Sequence, residues 1–194
     1  MKQRRLIGLT GGIATGKTTV SNYLAQKYQI PVLDADVFAR EAVTPGSDIL
    51  KAILARYGDR LKLADGSLNR AGLGKIIFND SEEKQWLESQ IHPYVRDRFT
   101  AELAKISALT VILAIPLLFE ANLTDLVTEI WVVSCDATTQ LQRLQKRNNL
   151  ALTQAQTRIK NQLPLTKKVA LADVVINNNS DLASLYQQCD RYIK

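Results

Sequence analysis

Five short runs of apolar residues recur along the chain, at residues 5–10, 31–34, 110–115, 129–134 and 173–177. Within each run the apolar positions are nearly continuous rather than alternating, which is the pattern of strands covered on both faces. Stretches of helical periodicity separate them. Strands alternating with helices predict an α/β fold built on a five-stranded, mainly parallel sheet. The first helix is expected to begin within residues 16–19 and to run to about Tyr28; a second follows Asp36, and a third covers residues 48–57. The longest helical pattern starts near Asp80, where Asp80 and Glu83 fit a capping box, and Pro93 inside it predicts a kink or break near His92. A helix over residues 137–147 comes next. Thr153 and Gln156 fit a second capping box, opening a short helix that ends before Pro164, and the last helix spans residues 181–193. Between the second and third runs, residues 44–107 hold no convincing strand and read as a helical insertion.

Composition narrows the class without choosing a function. Of 194 residues, 46% are apolar and 23% charged, ordinary values for a folded globular chain. The formal net charge of +6 suits anionic partners. Its basic residues are scattered and aromatics make up only 6%, which speaks against nucleic acid as the partner. The two cysteines, Cys135 and Cys189, form no Cys-x-x-Cys pair and read as reduced thiols. The basic start, Met1-Lys2-Gln3-Arg4-Arg5, leads into an apolar stretch too short and glycine-rich for a signal segment, and no run approaches the ~20 apolar residues of a membrane span. A cytoplasmic protein without a membrane partner, monomeric or weakly self-associating, is expected.

The strongest chemical signal is Gly11-Gly12-Ile13-Ala14-Thr15-Gly16-Lys17-Thr18, which matches G-x-x-x-x-G-K-[ST] between a predicted strand and a predicted helix. Glycines let successive backbone N–H groups turn inward around phosphates, and the following helix adds its dipole. Lys17 supplies charge to the β- and γ-phosphates of ATP, and the Thr18 hydroxyl can ligate Mg²⁺. The third apolar run carries no Asp or Glu, so the acid that many P-loop ATPases place there is missing. Metal binding would rest on Thr18, the phosphates, water and Asp36. That absence favours a small-molecule kinase over a motor or switch.

Asp34-Ala35-Asp36 follows the second run, where ligands gather beyond the carboxyl ends of parallel strands, beside the phosphate loop if strands one and two lie close. A carboxylate there can orient an acceptor hydroxyl and take its proton, or can merely cap the next helix; spacing leaves both roles open. Arg143 and Arg147 stand at i, i+4 and share a helix face that either closes over the transferring phosphate or is simply solvated. Arg158 is a weaker candidate of the same kind. His92, the only histidine, reads as structural or as a substrate contact.

In order along nearly the whole chain, these residues resemble the dephospho-CoA kinase family. The likeness is carried by Gly8-Leu9-Thr10-Gly11-Gly12-Ile13, Asp34-Ala35-Asp36 with Ala39-Arg40, and Asp65-Gly66-Ser67-Leu68-Asn69-Arg70 with Leu73 and Phe78. Leu87-Glu88 with His92-Pro93, Pro116-Leu117-Leu118-Phe119-Glu120, Gln140 with Arg143 and Arg147, Arg158-Ile159 with Gln162, and residues 172–177 continue it. The resemblance implies a single P-loop kinase domain: a core of about residues 1–43, 108–136 and 170–194, a substrate-binding insertion of about 44–107 and a lid of about 137–169. It implies transfer of the ATP γ-phosphate to the ribose 3′-hydroxyl of dephospho-CoA, the last step of coenzyme A synthesis. Asp36 would act on that hydroxyl, Lys17 and Arg143 would steady the moving phosphoryl group, and Arg147 would help hold ATP. The acceptor would meet Asp34, Arg40, Arg70 and His92. Ala14 departs from the family's usual glycine and is tolerable where the backbone keeps a negative φ; Asn69 replaces a common aspartate. Another small-molecule kinase, such as one for nucleoside monophosphates, is the rival within enzymes. A nucleotide switch is the rival outside them.

Overall fold

A computed structural model describes residues 4–194, so the first three residues of the basic start lie outside the described residues. The five apolar runs form strands β1 (Arg5–Gly11), β2 (Val32–Asp34), β3 (Thr110–Ala114), β4 (Glu129–Ser134) and β5 (Val174–Asn177). The helices between them are α1 (Lys17–Tyr28), α2 (Ala35–Glu41), α3 (Asp48–Tyr57), α4 (Arg70–Asn79) and α5 (Ser81–Lys105). Four more follow: α6 (Ala137–Asn148), α7 (Leu152–Lys160), α8 (Leu165–Ala170) and α9 (Leu182–Ile193). All strand pairings are parallel, in the order β2-β3-β1-β4-β5. β3 therefore lies between β1 and β2. Strands one and two are not neighbours, and two interstrand spacings of about 4.8 Å put roughly 10 Å between them.

The chain divides into two compact units, residues 1–34 with 106–194, and residues 35–105. The first holds the whole sheet. Ile7 and Leu9 of β1, Ile112 of β3, Trp131 and Val133 of β4 and Ile176 of β5 bury one face against Val20 and Leu24 of α1 and Leu185 and Cys189 of α9. Val111, Leu113 and Val132, at the alternate strand positions, are buried as well, and strands buried on both faces read as continuous apolar runs. Both cysteines are free and buried, and burial pushes the Cys189 thiol up to about 11.

The second unit packs α2 to α5 around Ala42, Val43, Leu50, Ile53, Leu61, Leu68, Leu73 and Leu87. Phe38 meets Phe99 edge-on at 5.0 Å. Its helix starts are capped by short polar side chains: Ser47 for α3, Asn69 for α4, and Asp80 for α5, whose Oδ1 accepts from the Glu82 and Glu83 N–H groups.

Three expectations about helices need correction. The first concerns only the break near His92: α5 is continuous for 25 residues through Pro93. The proline removes a donor to the Ser89 carbonyl, but Ser89 and Pro93 lie on the exposed side. Leu87, Val95 and Phe99 meanwhile hold both halves of the helix in the core. Only half of the Asp80–Glu83 box forms, because the Glu83 carboxylate goes to Arg56 and Tyr57 instead. The Thr153–Gln156 box does not open α7: that helix starts two residues earlier than such a cap requires, with Gln154 Oε1 accepting from the Ala151 N–H at 3.2 Å. A second carboxamide in the right place competes for the start and wins.

Candidate active site

The phosphate loop follows β1. Gly16 sits at φ 104°, and a Cβ there would collide with the Asn178 side chain. A Cβ on Gly11 would come 2.5 Å from the Val133 carbonyl of the neighbouring strand. Both glycines are thus required by shape. The segment closes as a turn through the buried Thr15, whose Oγ1 donates to the Gly12 carbonyl at 2.9 Å. α1 then begins at Lys17 with no side chain capping it. Its first N–H groups and dipole remain directed at the loop, an arrangement suited to an anion. Lys17 is half-buried and Thr18 exposed at that helix start.

Ala14 is a correction: its φ is 63°, in the left-handed region rather than the negative range that an alanine prefers. The loop keeps the backbone shape that suits glycine and carries the strain.

The loop is braced from the carboxyl half of the same unit. Gln140 of α6 donates to the Ile13 carbonyl at 2.9 Å, and the Ile13 N–H donates to Gln162 at 2.8 Å. Asn178 Nδ2 donates to the Thr15 carbonyl at 2.8 Å, while the Asn178 carbonyl accepts from Arg143 at 2.9 Å. Arg143 also lowers the pKa of the neighbouring Cys135 thiol, though the larger effect of burial leaves it raised. The loop after β5 is a run of carboxamides with separate tasks. Asn179 accepts from the Asp136 N–H, and Asp136 caps α6 through Thr139, whose donors hold that carboxyl below its usual range.

Structure thus links Arg143 to the loop's braces. Arg147 bonds Asn148 at the exposed end of α6, and Arg158 is exposed on α7. Gln140 and Gln162 carry a signal in the sequence only through the family likeness, and Asn178 carries none.

Asp34 ends β2, in register with Ala114 of β3, whose other neighbour is Leu9 of β1. It lies at the carboxyl edge of the sheet, as does Gly11. Asp36 belongs to the first turn of α2. In the second unit it lines a cavity of 420 Å³ with Arg40 and Arg70 on the polar side and Val43, Leu68, Leu73, Ile77 and Ile91 on the apolar side. Asn69 caps α4 directly before Arg70. A turn at Asp65-Gly66-Ser67, in which Asp65 accepts from Ser67 N and Oγ, brings Leu68 back to the cavity wall. His92 is next to Ile91 on α5 but does not line the cavity.

Known proteins resemble this chain over nearly its whole length. A family model described as dephospho-CoA kinase matches residues 5–184. Curated dephospho-CoA kinases from Trichormus variabilis and from Synechocystis sp. are each 58% identical over 187 residues, covering 96% of this chain and 95% and 93% of theirs. Among solved structures, the TT1252 protein of Thermus thermophilus superposes with a TM-score of 0.84 at 30% identity, covering 99% of this chain and 97% of that one. A dephospho-CoA kinase from Campylobacter jejuni gives a TM-score of 0.71 at 26% identity, covering 97% and 94%. A shikimate kinase from Acinetobacter baumannii, 16% identical at a TM-score of 0.56 and covering 99% and 92%, shares the fold.

Proposed function

The chain belongs to the dephospho-CoA kinase family, and from that premise we propose how its residues move the γ-phosphate of ATP to the ribose 3′-hydroxyl of dephospho-CoA. One observation carries the reading: an uncapped helix start behind a phosphate loop in the first unit, together with an acid and two arginines beside an aliphatic wall in the second.

The triphosphate lies along the loop from Gly11 to Thr18, with backbone N–H groups and Lys17 opposing its charge. Arg143 steadies the charge that develops on the transferring group, and Arg147 contributes to ATP binding. Asp36 orients the acceptor hydroxyl and accepts its proton, with Asp34 beside it in sequence. Arg40 and Arg70 suit the phosphate groups of the acceptor, since guanidinium groups match phosphate in a bidentate fork. Val43, Leu68 and Ile91 suit its uncharged parts, and His92, next to Ile91 in the chain but outside the cavity lining, is proposed as a further acceptor contact. Little covalent chemistry is asked of the protein; positioning and charge neutralisation supply the rate.

Among the described residues no cluster of three His, Cys, Asp or Glu side chains could hold a metal by itself. This fits Mg²⁺, which commonly takes one or two protein oxygens and completes its shell from phosphates and water. Thr18 of the first unit and Asp36 of the second are each a proposed protein oxygen for the ion, which would neutralise charge on the phosphate oxygens. No helix among the described residues is long and apolar enough to cross a membrane; a cytoplasmic setting and a monomer or weak homo-oligomer remain part of the proposal.

The test is ATP consumption with and without dephospho-CoA, followed by the mass of the product. The reading requires acceptor-dependent ADP formation and a product heavier by one phosphoryl group. Phosphorylation of nucleoside monophosphates in place of dephospho-CoA would overturn it.

A further inference from the structure

One lysine sealed from solvent has no part in that scheme. Lys168, in α8, is 0% exposed. A buried ammonium is costly unless it is paired and hydrogen-bonded. Its Nζ meets Glu120 Oε1 at 2.9 Å and donates to the Pro116 carbonyl at 3.0 Å. The same Pro116 carbonyl accepts from Thr10 Oγ1 at 3.1 Å, and Thr10 is the residue before Gly11. Glu120 Oε1 also accepts from the Leu163 N–H at 2.9 Å. The residue before Leu163 is Gln162, whose carboxamide holds the Ile13 N–H of the phosphate loop. The ion pair therefore fixes one residue whose immediate neighbour touches the loop.

Stability alone is a poor reason for this arrangement. Two apolar side chains of similar volume commonly fill such a place as well or better. The pair is not even fully satisfied, because Glu120 Oε2 is buried and accepts no hydrogen bond among the described residues. What a charged pair offers here is direction: one carboxylate oxygen takes both the ammonium and the Leu163 amide.

We propose that Glu120 and Lys168 form a positioning clamp that holds Leu163 so that Gln162 closes on Ile13 and sets the phosphate loop for ATP. Neither side chain touches the reacting atoms. The proposal rests on the phosphate loop's being the ATP site.

Two double variants separate positioning from packing. Glu120→Gln with Lys168→Met removes both charges but keeps a carbonyl oxygen for the Leu163 N–H. Glu120→Met with Lys168→Met removes the charges and the acceptor. ATP binding is read by calorimetric titration without acceptor, and folding by thermal unfolding. The Gln/Met chain keeps the acceptor but loses the ammonium that directs it, and is expected to bind ATP more weakly than the parent and more tightly than the Met/Met chain. The Met/Met chain is expected to bind ATP on the order of fivefold to tenfold more weakly, as coupling through a bonded chain of residues does. Its KM for dephospho-CoA should stay unchanged. Gln162→Ala should weaken ATP to the same extent, and adding it to Met/Met should have no further effect.

Equal ATP affinity in both double variants, or full additivity with Gln162→Ala, overturns the clamp. Should the Met/Met chain fail to fold, amide exchange in the Gln/Met chain decides. Loss of protection at both Leu163 and Ile13 supports the clamp, and any result in which Ile13 keeps its protection refutes it. Because ATP binding is measured without acceptor, a parent chain that binds ATP but does not phosphorylate dephospho-CoA would sink the functional reading and leave this one standing.

Discussion

Ala14 holds a φ of 63° at the tip of the phosphate loop, where a side chain costs roughly 1–2 kcal/mol. Glycine would relieve that cost but give back part of it through a looser unfolded chain, about 0.4–1 kcal/mol. Ala14→Gly should therefore stabilise the protein by about 0.5–1 kcal/mol, read as a higher urea midpoint at constant slope; an unchanged or lower midpoint would mean the strain is absorbed elsewhere. Asp36 permits a cleaner split between binding and chemistry. Asp36→Asn keeps the size of the side chain and removes the base, so calorimetric affinity for ATP without added Mg²⁺ should stay while single-turnover transfer falls on the order of 10²-fold or more. Unchanged turnover would leave Asp36 the role of a first-turn acid on α2. At this scale the motif made Lys17 and Thr18 legible because their spacing is local. The braces were not legible as such: Gln140, Gln162 and Asn178 reach loop residues 127, 149 and 163 positions away. A carboxamide carries no sign of such a partner in its own neighbourhood.

Elements were legible where one physical cause dominated. Continuous apolar strands announced a sheet covered on both sides, and all five appear. α4 was not legible as a separate helix, because Gly72 and Gly74 lie inside it and weaken its local preference. What starts it is the Asn69 carboxamide, which accepts from the Gly72 N–H at 2.9 Å. Asn69→Ala should cost about 1 kcal/mol in thermal or urea unfolding, the usual loss for a cap; since α4 also supplies Arg70 and Leu73 to the cavity, KM for dephospho-CoA should rise with it. A second tie joins α3 to α5. Arg56, foremost, and Tyr57 both bond Glu83 and hold its carboxyl down at about 2, against an ordinary 4.5. A carboxyl lowered in the folded state stabilises it fully above pH 4.5 and loses that contribution as pH falls toward 2. Glu83→Gln should therefore flatten the loss of thermal stability between pH 4.5 and 2 relative to the parent. Parallel acid profiles for the two chains would show that the tie contributes nothing in solution, as many exposed ion pairs do.

Across the whole molecule, the chemistry is divided between two compact units: residues 11–18 and their braces belong to one, and Asp36, Arg40 and Arg70 to the other. The sequence conveyed both sets of residues, through a local motif and through the family likeness. The boundary between the units after Asp34 rests on contacts that no local pattern encodes. Such a division predicts separable ligand effects. ATP at a hundred times its Kd should stabilise the parent by about 2.7 kcal/mol, since it binds only the folded chain. At the same concentration, and without added Mg²⁺, Lys17→Ala should lose most of that gain, while Asp36→Asn should keep it. Amide exchange gives the matching map. ATP alone should slow exchange in the loop and the start of α1, and dephospho-CoA alone should slow it in α2 and α4. If ATP alone protected α2 and α4 and left the loop unchanged, the donor and acceptor assignments would have to be exchanged, and Lys17 would lose its place against the triphosphate.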